Sequence, residues 1–332
     1  MGDKDAARRT MQAAGVPVIP GTEKLETVEE AKKAALEVGY PLLIKASAGG
    51  GGRGIRLVTG PDQLERQFNA ASQEALSAFG CGDVYMEKYL RPVKHIEVQV
   101  LCDKHGGYVA LGERDCSVQR RNQKLLEESP SPGISEALRQ ELISCSVRAA
   151  KAVGYENAGT IEYLLDRDNN FYFMEMNTRL QVEHPVTEMV TGIDLVKWQL
   201  RIAAGQPLNF TQEDVRISGC AIECRINAED PARGNMPCAG KVTLLHAPGG
   251  PWVRLDTALY QDYVVPPFYD SMIAKLIVHA KTREEALRKM QAALGELVIE
   301  GVAHNSELQM ELLQDERFIA GSYTTDFMSK WG

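Results

Sequence analysis

The sequence predicts an α+β protein, and three observations carry that reading. Up to Lys88, capped helices alternate with short apolar strands, enough for a compact helix–strand unit. From Lys94 onward strands dominate and are joined as hairpins. Four successive glycines stand between the first two strands. That placement needs a reason, because glycine loses the most backbone entropy on folding.

Residues 3–14 are expected to form a short helix, capped by Asp3 and closed by Gly15, ahead of an extended segment over 16–20. A second helix over 27–38 has Thr27 and Glu30 as a capping box and Gly39 just past its end. Residues 41–46 read as a buried strand and 55–58 as a second; a helix starts at Pro61, and 83–88 make a third strand. His95-Ile-Glu-Val-Gln-Val-Leu101 alternates cleanly and pairs with 108–114 across a glycine-containing turn. The stretch 114–124 is polar and basic. Arg120, Arg121 and Lys124, gathered in an acidic chain, favour an anionic ligand or an interface. Helices over 135–153 and 194–205 begin at Ser135 and Asp194 and end at glycines. Strands over 218–228, 241–245 and 272–279, and a helix over 282–297 with a Thr282/Glu285 capping box, complete the chain.

Backbone amides bare of side chains can wrap closely round phosphate oxygens, and Lys45 and Arg53 flank the glycine run with charge. A strand follows it, so the pattern is neither a Walker A motif nor a Gly-x-Gly-x-x-Gly that opens a helix. A flexible hairpin tip is the plain alternative. With Lys45 on the strand, a loop that closes over phosphates is favoured.

Residues 173–185 read Phe-Met-Glu-Met-Asn-Thr-Arg-Leu-Gln-Val-Glu-His-Pro. If this stretch is extended, Glu175, Asn177, Arg179, Gln181 and Glu183 share one face. The segment 160–175 reads as a hairpin, and a turn centred between Asp168 and Asn169 puts Glu162 directly opposite Glu175. Like charges so placed destabilise a sheet, so a cation is expected between them. Two carboxylates with an amide nearby suit Mg²⁺. A solvated face with a one-residue register shift gives the same alternation; the composition favours the metal.

At 332 residues the chain is long enough for two or three compact units, and 44% hydrophobic with 25% charged residues is a globular composition. A net charge of -8 implies no general affinity for nucleic acid. No apolar run approaches the roughly 20 residues that span a bilayer. The start Met-Gly-Asp-Lys-Asp has no secretory h-region, and Ala6 and Ala7 stand where a myristoylation signal has Ser or Thr. The seven cysteines are scattered and odd in number, and Cys220 and Cys224 lack a second pair to complete a zinc site. Reduced thiols and a cytoplasmic location are expected.

Several motifs occur in one order: Met1-Gly-Asp-Lys4, Lys45-Ala-Ser-Ala-Gly-Gly-Gly-Gly-Arg-Gly54, Met86-Glu-Lys-Tyr-Leu90 and Glu113-Arg-Asp-Cys-Ser117. Glu175-Met-Asn-Thr-Arg179, Gln181-Val-Glu-His-Pro185 and Glu223-Cys-Arg-Ile-Asn-Ala-Glu-Asp230 follow. Together they closely resemble the biotin carboxylases of the ATP-grasp superfamily, over essentially the whole chain. The resemblance implies an ATP-grasp fold, a small α/β lid domain over a larger mixed, mainly antiparallel sheet domain. Residues 1–16 would then be a helical linker, 17–89 the lid with its glycine-rich loop, 90–210 the core, and 211–332 a C-terminal region packed on it.

The resemblance also implies an ATP-dependent ligase. It phosphorylates bicarbonate to carboxyphosphate and carboxylates biotin on a carrier protein, with Mg²⁺ or Mn²⁺. The setting would be an acetyl-CoA, propionyl-CoA or pyruvate carboxylase system, fatty acid biosynthesis included, with a carboxyltransferase subunit as partner and a homodimeric state. Carried over position by position, it places Lys4, Lys45, Gly51 and Gly52 on the nucleotide phosphates. Glu87, Lys88, Leu90, His95, Gln119, Asn122 and Leu164 fall around adenine and ribose. Glu162, Glu175 and Asn177 match the metal ligands. Lys124, Arg179, Gln181 and the Val182 backbone match the bicarbonate pocket. Glu183 corresponds to the base for bicarbonate and Arg225 to the cation that stabilises the biotin enolate.

The chain departs from that pattern in places. Relatives carry an α/β domain ahead of the position matching Met1, which is expected to be absent here. Asn122 stands where some have histidine, Ala48 replaces a glycine, and Asn235-Met-Pro-Cys-Ala-Gly240 differs from the usual turn. A second reading is therefore a catalytically impaired nucleotide-binding or assembly fragment, and a third is an ATP-grasp ligase with another acceptor. The retained Glu162, Glu175, Arg179, Glu183 and Arg225 favour the carboxylase.

Overall fold

The computed structural model describes residues 4–47 and 55–330, with the backbone alone at 4, 5 and 330. The chain opens with helices α1 (Lys4–Ala13) and α2 (Val28–Val38), strands β1 (Leu42–Ala46) and β2 (Ile55–Val58), helix α3 (Pro61–Phe79) and strand β3 (Val84–Lys88). There follow β4 (Lys94–Cys102), β5 (Tyr108–Arg120), β6 (Gln123–Ser129), α4 (Glu136–Ala152), β7 (Asn157–Leu165) and β8 (Phe171–Asn177). Helices α5 (His184–Thr191) and α6 (Leu195–Ala203) lead to β9 (Cys220–Asn227). Short strands β10 (Glu229–Asp230), β11 (Met236–Pro237), β12 (Gly240–Lys241) and β13 (Leu244–His246) come next. The chain ends through β14 (Val253–Thr257), β15 (Val264–Val265), β16 (Met272–Ala280), α7 (Arg283–Glu296), β17 (Val298–Glu300) and α8 (Ser306–Gln314).

Contacts divide the chain into two compact units. The first comprises Met1–Val93, Arg148–Tyr155 and Ile161–Thr178; the second comprises Lys94–Val147, Glu156–Thr160 and Arg179–Gly332.

In the first unit, β1 is the middle strand of an antiparallel sheet ordered β2-β1-β3. Alternation along β1 turns Leu42 and Ile44 inward, where they meet Ala31 and Ala35 of α2 and Leu64 and Phe68 of α3. Lys45 and Glu87 therefore share the other face. Both expected ends of α2 form, the Thr27/Glu30 capping box and Gly39 just past the last turn at φ 74°, and Gly80 closes α3 at φ 72°.

The second unit is built on an antiparallel sheet ordered β14-β16-β9-β6-β5-β4, with β7 next to β4. Helix α7 covers one face. Ala286, Leu287, Met290 and Leu294 pack there on Ile222, Cys224, Ile226, Leu276 and Val278. On the other face Val186 and Val190 of α5 pack on Ala221 and Ile277. Covered on both sides, β4 and β5 are almost wholly buried, their charged residues included.

Four expectations change. The basic stretch 114–124, expected to favour an anionic ligand or an interface, is largely strand: β5 runs on to Arg120, and a two-residue turn with Arg121 at φ 53° and Asn122 at φ 65° delivers β6. Arg120 pairs with Glu229, so the run does not act as one anion patch. The hairpin before β8 is also different. Asp166 N bonds to Asn170 O and Asn169 takes φ 63°, so the loop is the three residues 167–169 rather than a turn between Asp168 and Asn169. Third, the polar row stops being a strand at Asn177, and Glu183 is the N-cap of a helix that alternation does not predict. Residues 241–245 likewise divide between β12 and β13.

Candidate active site

The polar face of β4 explains much of the site. Glu97 and Arg114 are direct cross-strand partners on β4 and β5, and both are completely buried. Arg114 Nη1 donates to Gln99 Oε1 (2.8 Å) and Thr187 Oγ1 (3.0 Å). Its Nη2 donates to Gln181 Oε1 (2.8 Å), Glu97 Oε2 (3.2 Å) and Thr160 Oγ1 (3.2 Å). Burial alone would lower its pKa, but the charges of Glu97 and Glu183 outweigh that and raise it. Arg114 thus fixes three strands and the segment entering α5.

Glu183 is the centre of a charged cluster. Lys124 Nζ donates to its Oε1 at 2.6 Å and also to Glu97 Oε1. Arg225 Nη2 donates to its Oε2 at 3.1 Å, while Arg225 Nε donates to Glu127 Oε1 at 2.6 Å. As N-cap of α5, Glu183 makes no capping bond with its side chain, which turns instead to these two cations. Arg225 is likewise raised, burial being outweighed by Glu127 and Glu183. Glu97, Cys116 and Glu183 bring one ligand atom each within 4.8 Å of one another. Burial pushes the Cys116 thiol well up, and Lys124 already bridges both carboxylates, so this group reads as an ammonium site rather than a metal site.

His95 is oriented by its neighbours. Gln119 Nε2 donates to Cys116 O and to His95 Nδ1, both at 2.7 Å, which leaves the imidazole proton on Nε2, 3.4 Å from Glu97 Oε1. Arg179 is exposed, with Nη1 donating to the Leu180 carbonyl (3.2 Å). Val182 offers its carbonyl to Lys275 Nζ at 2.8 Å. Asn122 is exposed at its turn and joins none of these groups.

Within the first unit, Lys45 Nζ donates to Glu87 Oε2 across the outer face of the small sheet. Lys88 Nζ donates to the carbonyls of Gly39 (3.2 Å) and Tyr40 (2.9 Å) at the end of α2. Leu90 and Leu164 are half-buried. Asn177 Nδ2 donates to Glu162 Oε1 at 2.8 Å, so the tips of β7 and β8 present amide and carboxylate on one face. The burial alternation of β8 changes phase at Glu175, as a β-bulge would make it. These oxygens from Glu162, Glu175 and Asn177 fit a hard divalent cation. The side chain of Lys4, and Gly51 and Gly52, lie outside the described residues.

Sequence reasoning missed Glu97, Gln99, Arg114, Glu127, Glu223 and Lys275. The signal for two of them was present: His95, Glu97 and Gln99 recur at every second position, so β4 carries a polar stripe on a strand whose other face is apolar.

Residues 3–211 match the family model "Carbamoyl-phosphate synthase L chain, ATP binding domain", and residues 223–330 match "Biotin carboxylase C-terminal domain". Biotin carboxylase 1 of Bacillus subtilis (strain 168) is 52% identical over 333 residues, covering 100% of this chain and 74% of that protein. The biotin carboxylase–beta-gamma-ATP complex from Campylobacter jejuni superposes with a TM-score of 0.95 at 48% identity, over 99% of this chain and 74% of that one. The biotin carboxylase domain dimer of Hydrogenobacter thermophilus 2-oxoglutarate carboxylase, solved with MgADP, ADP and bicarbonate, gives 0.94 at 50% identity, over 99% and 73%. With Lys124 and Arg225, both half-buried, gathered on Glu183, and with half the residues identical from end to end, the chain belongs to the biotin carboxylase family, whose fold is ATP-grasp.

Proposed function

We propose that the Lys124–Glu183–Arg225 cluster carries the bicarbonate half of the ATP-dependent biotin carboxylation that family membership gives this chain. The observation that supports it most is Glu183 itself, one buried carboxylate held by two cations from different strands. Such a group can take a proton from bicarbonate while Lys124 and Arg179 hold the anion, with Arg114 keeping the Gln181 amide in place. A bicarbonate oxygen then attacks the γ-phosphorus of ATP, forming carboxyphosphate and releasing ADP. Decomposition of carboxyphosphate delivers CO₂ to N1′ of biotin and frees phosphate, which accepts the N1′ proton. Arg225, next to Glu183, stabilises the enolate oxygen of biotin in that step.

The family resemblance assigns Lys45 to the nucleotide phosphates and Glu87, His95 and Gln119 to positions around adenine and ribose. Glu162, Glu175 and Asn177 would hold Mg²⁺ or Mn²⁺, which supplies charge neutralisation to the transferring phosphoryl group. The carried substrate is biotin on a carrier protein, and the dimer of the Hydrogenobacter relative supports the same assembly here.

ADP release measured with free biotin and Mg²⁺, with and without bicarbonate, tests the assignment. Turnover should require bicarbonate and fall by about 10²-fold or more in Glu183→Gln and Arg225→Ala. Bicarbonate-independent turnover, or full activity in Glu183→Gln, removes the assignment.

A further inference from the structure

Two carboxyl groups take no part in the chemistry above and yet adjoin it. Glu127 on β6 and Glu223 on β9 are direct partners in the antiparallel ladder, and both are completely buried. Parity along β9 gives their direction. Ile222, Cys224 and Ile226 enter the core beneath α7, so Ala221, Glu223 and Arg225 face the layer of α5. Glu127 Oε1 accepts from Arg225 Nε. Glu127 Oε2 and both oxygens of Glu223 have no hydrogen-bond partner among the described residues. An ionised carboxylate with nothing to accept from is among the costliest groups to bury, and two opposite one another also repel.

The surrounding charges point the same way. Facing this pair are Lys124 from β6, Arg225 from β9 itself, Lys275 from β16 and Glu183 at the start of α5. Lys275 is engaged by the Val182 carbonyl and lies 3.5 Å from Asp256; His184 is turned to the Gln181 carbonyl and Glu188. In the cluster proper, Arg114, Lys124 and Arg225 supply three positive charges against the four carboxyls of Glu97, Glu127, Glu183 and Glu223. One retained proton makes the two sides equal. Burial pushes Glu127 up to about 7 against the pull of Arg225. Glu223 is pushed well above the usual carboxylate range by burial and then by the charge of Glu127.

We propose that Glu127 and Glu223 form a one-proton carboxyl pair beneath Arg225, in which Glu127 orients the guanidinium and the shared proton keeps surplus negative charge away from the bicarbonate pocket. Both are positioning residues. The pair exchanges its proton with solvent and makes or breaks no other bond. The role in anion binding rests on the bicarbonate assignment made above; the protonation of the pair does not.

Two readouts separate these parts. A folded-state acid whose pKa is raised loses stability as pH climbs from its unfolded value to its folded value. Glu223→Gln removes that slope while keeping the shape. Its melting temperature minus that of the wild type should therefore rise steadily from pH 5 to 8. A flat difference means no proton is held and overturns the proposal, whatever the enzyme's turnover. Should the variant not fold, infrared titration of the wild-type protein decides: loss of the buried carboxylic-acid carbonyl stretch by pH 5.5 overturns it. The second readout is kinetic. In the wild type, KM for bicarbonate should climb by at least about tenfold as the pair ionises above neutral pH, one unit charge acting over several ångströms. In Glu223→Gln that alkaline climb should disappear while the kcat profile keeps its shape. An unchanged climb in the variant overturns the positioning role, and absence of bicarbonate-dependent turnover in the wild type counts against the bicarbonate assignment instead.

Discussion

Arg114 shows how much of a site can hang on one side chain that never meets solvent. Charged residues are seldom fully buried unless paired, and Arg114 reaches partners at positions 97, 99, 160, 181 and 187. None of these is its neighbour in sequence, which is why Glu113-Arg-Asp-Cys-Ser117 could be noticed as a motif but not read as a hub. The same holds for Glu223, whose consequence lies in having no hydrogen-bond partner among the described residues. By contrast, roles for Glu183 and Arg225 came from the resemblance to the biotin carboxylases; their residue types alone left Arg225 as an ordinary ion-pair partner. Replacing Arg114 leaves Glu97 and Gln181 without their shared donor in a dry interior. Arg114→Met is expected to cost about 3–5 kcal/mol, as removal of one member of a buried ion pair does. Urea unfolding of the variant checks this, and a loss below about 1 kcal/mol would show that the hub is dispensable.

Among elements, the legible ones were those with local punctuation. The caps at Thr27, Thr282 and Asp194 set the starts of α2, α7 and α6, because a side-chain oxygen satisfying an orphan amide is a contact between near neighbours. Helix α5 was missed because the alternation 175–183 continues past the end of β8, and only the Pro185 at its first turn hints at a helix. The β5–β6 hairpin was missed for a related reason: the polar, basic run 114–124 suggested a site for an anionic ligand or an interface, whereas most of residues 113–120 are buried and pair with β4 and β6 inside the sheet. The turn itself explains an odd residue. With φ at 53° and 65° at its two central positions, it favours asparagine or glycine, and Asn122 fills the second. Asn122→Ile should therefore lower stability by about 1–3 kcal/mol, while Asn122→Gly should stay near wild type in thermal unfolding and in ATP affinity. A stable Asn122→Gly enzyme with weakened ATP binding would give the residue back to the nucleotide site.

At the scale of the whole chain, the two family matches meet between residues 211 and 223, yet the sheet of the second unit does not stop there. β6, from the first match, pairs over Leu126–Ser129 with β9, most of which lies in the second. Val118, Leu125 and Leu126 sit in one core with Ile222, Leu276, Leu287 and Phe318. Sequence similarity therefore marks a boundary where packing has none. The reason is that motifs record local chemistry, whereas a shared core depends on strand order that no motif carries. The active-site cluster crosses the same point, since Glu183 lies on one side and Arg225 on the other. A fragment ending at residue 211 would keep β4, β5 and β6 but expose the edge of β6 and the apolar face normally covered by β9 and α7. We expect residues 1–211 to aggregate or to behave as a molten globule, keeping far-UV circular dichroism while losing the near-UV signal and binding ANS. Adding residues 212–332 as a separate chain during refolding should restore near-UV signal, because the missing strands supply both the edge and the core. A fragment that unfolds cooperatively by itself would show instead that the sheet can close at β6.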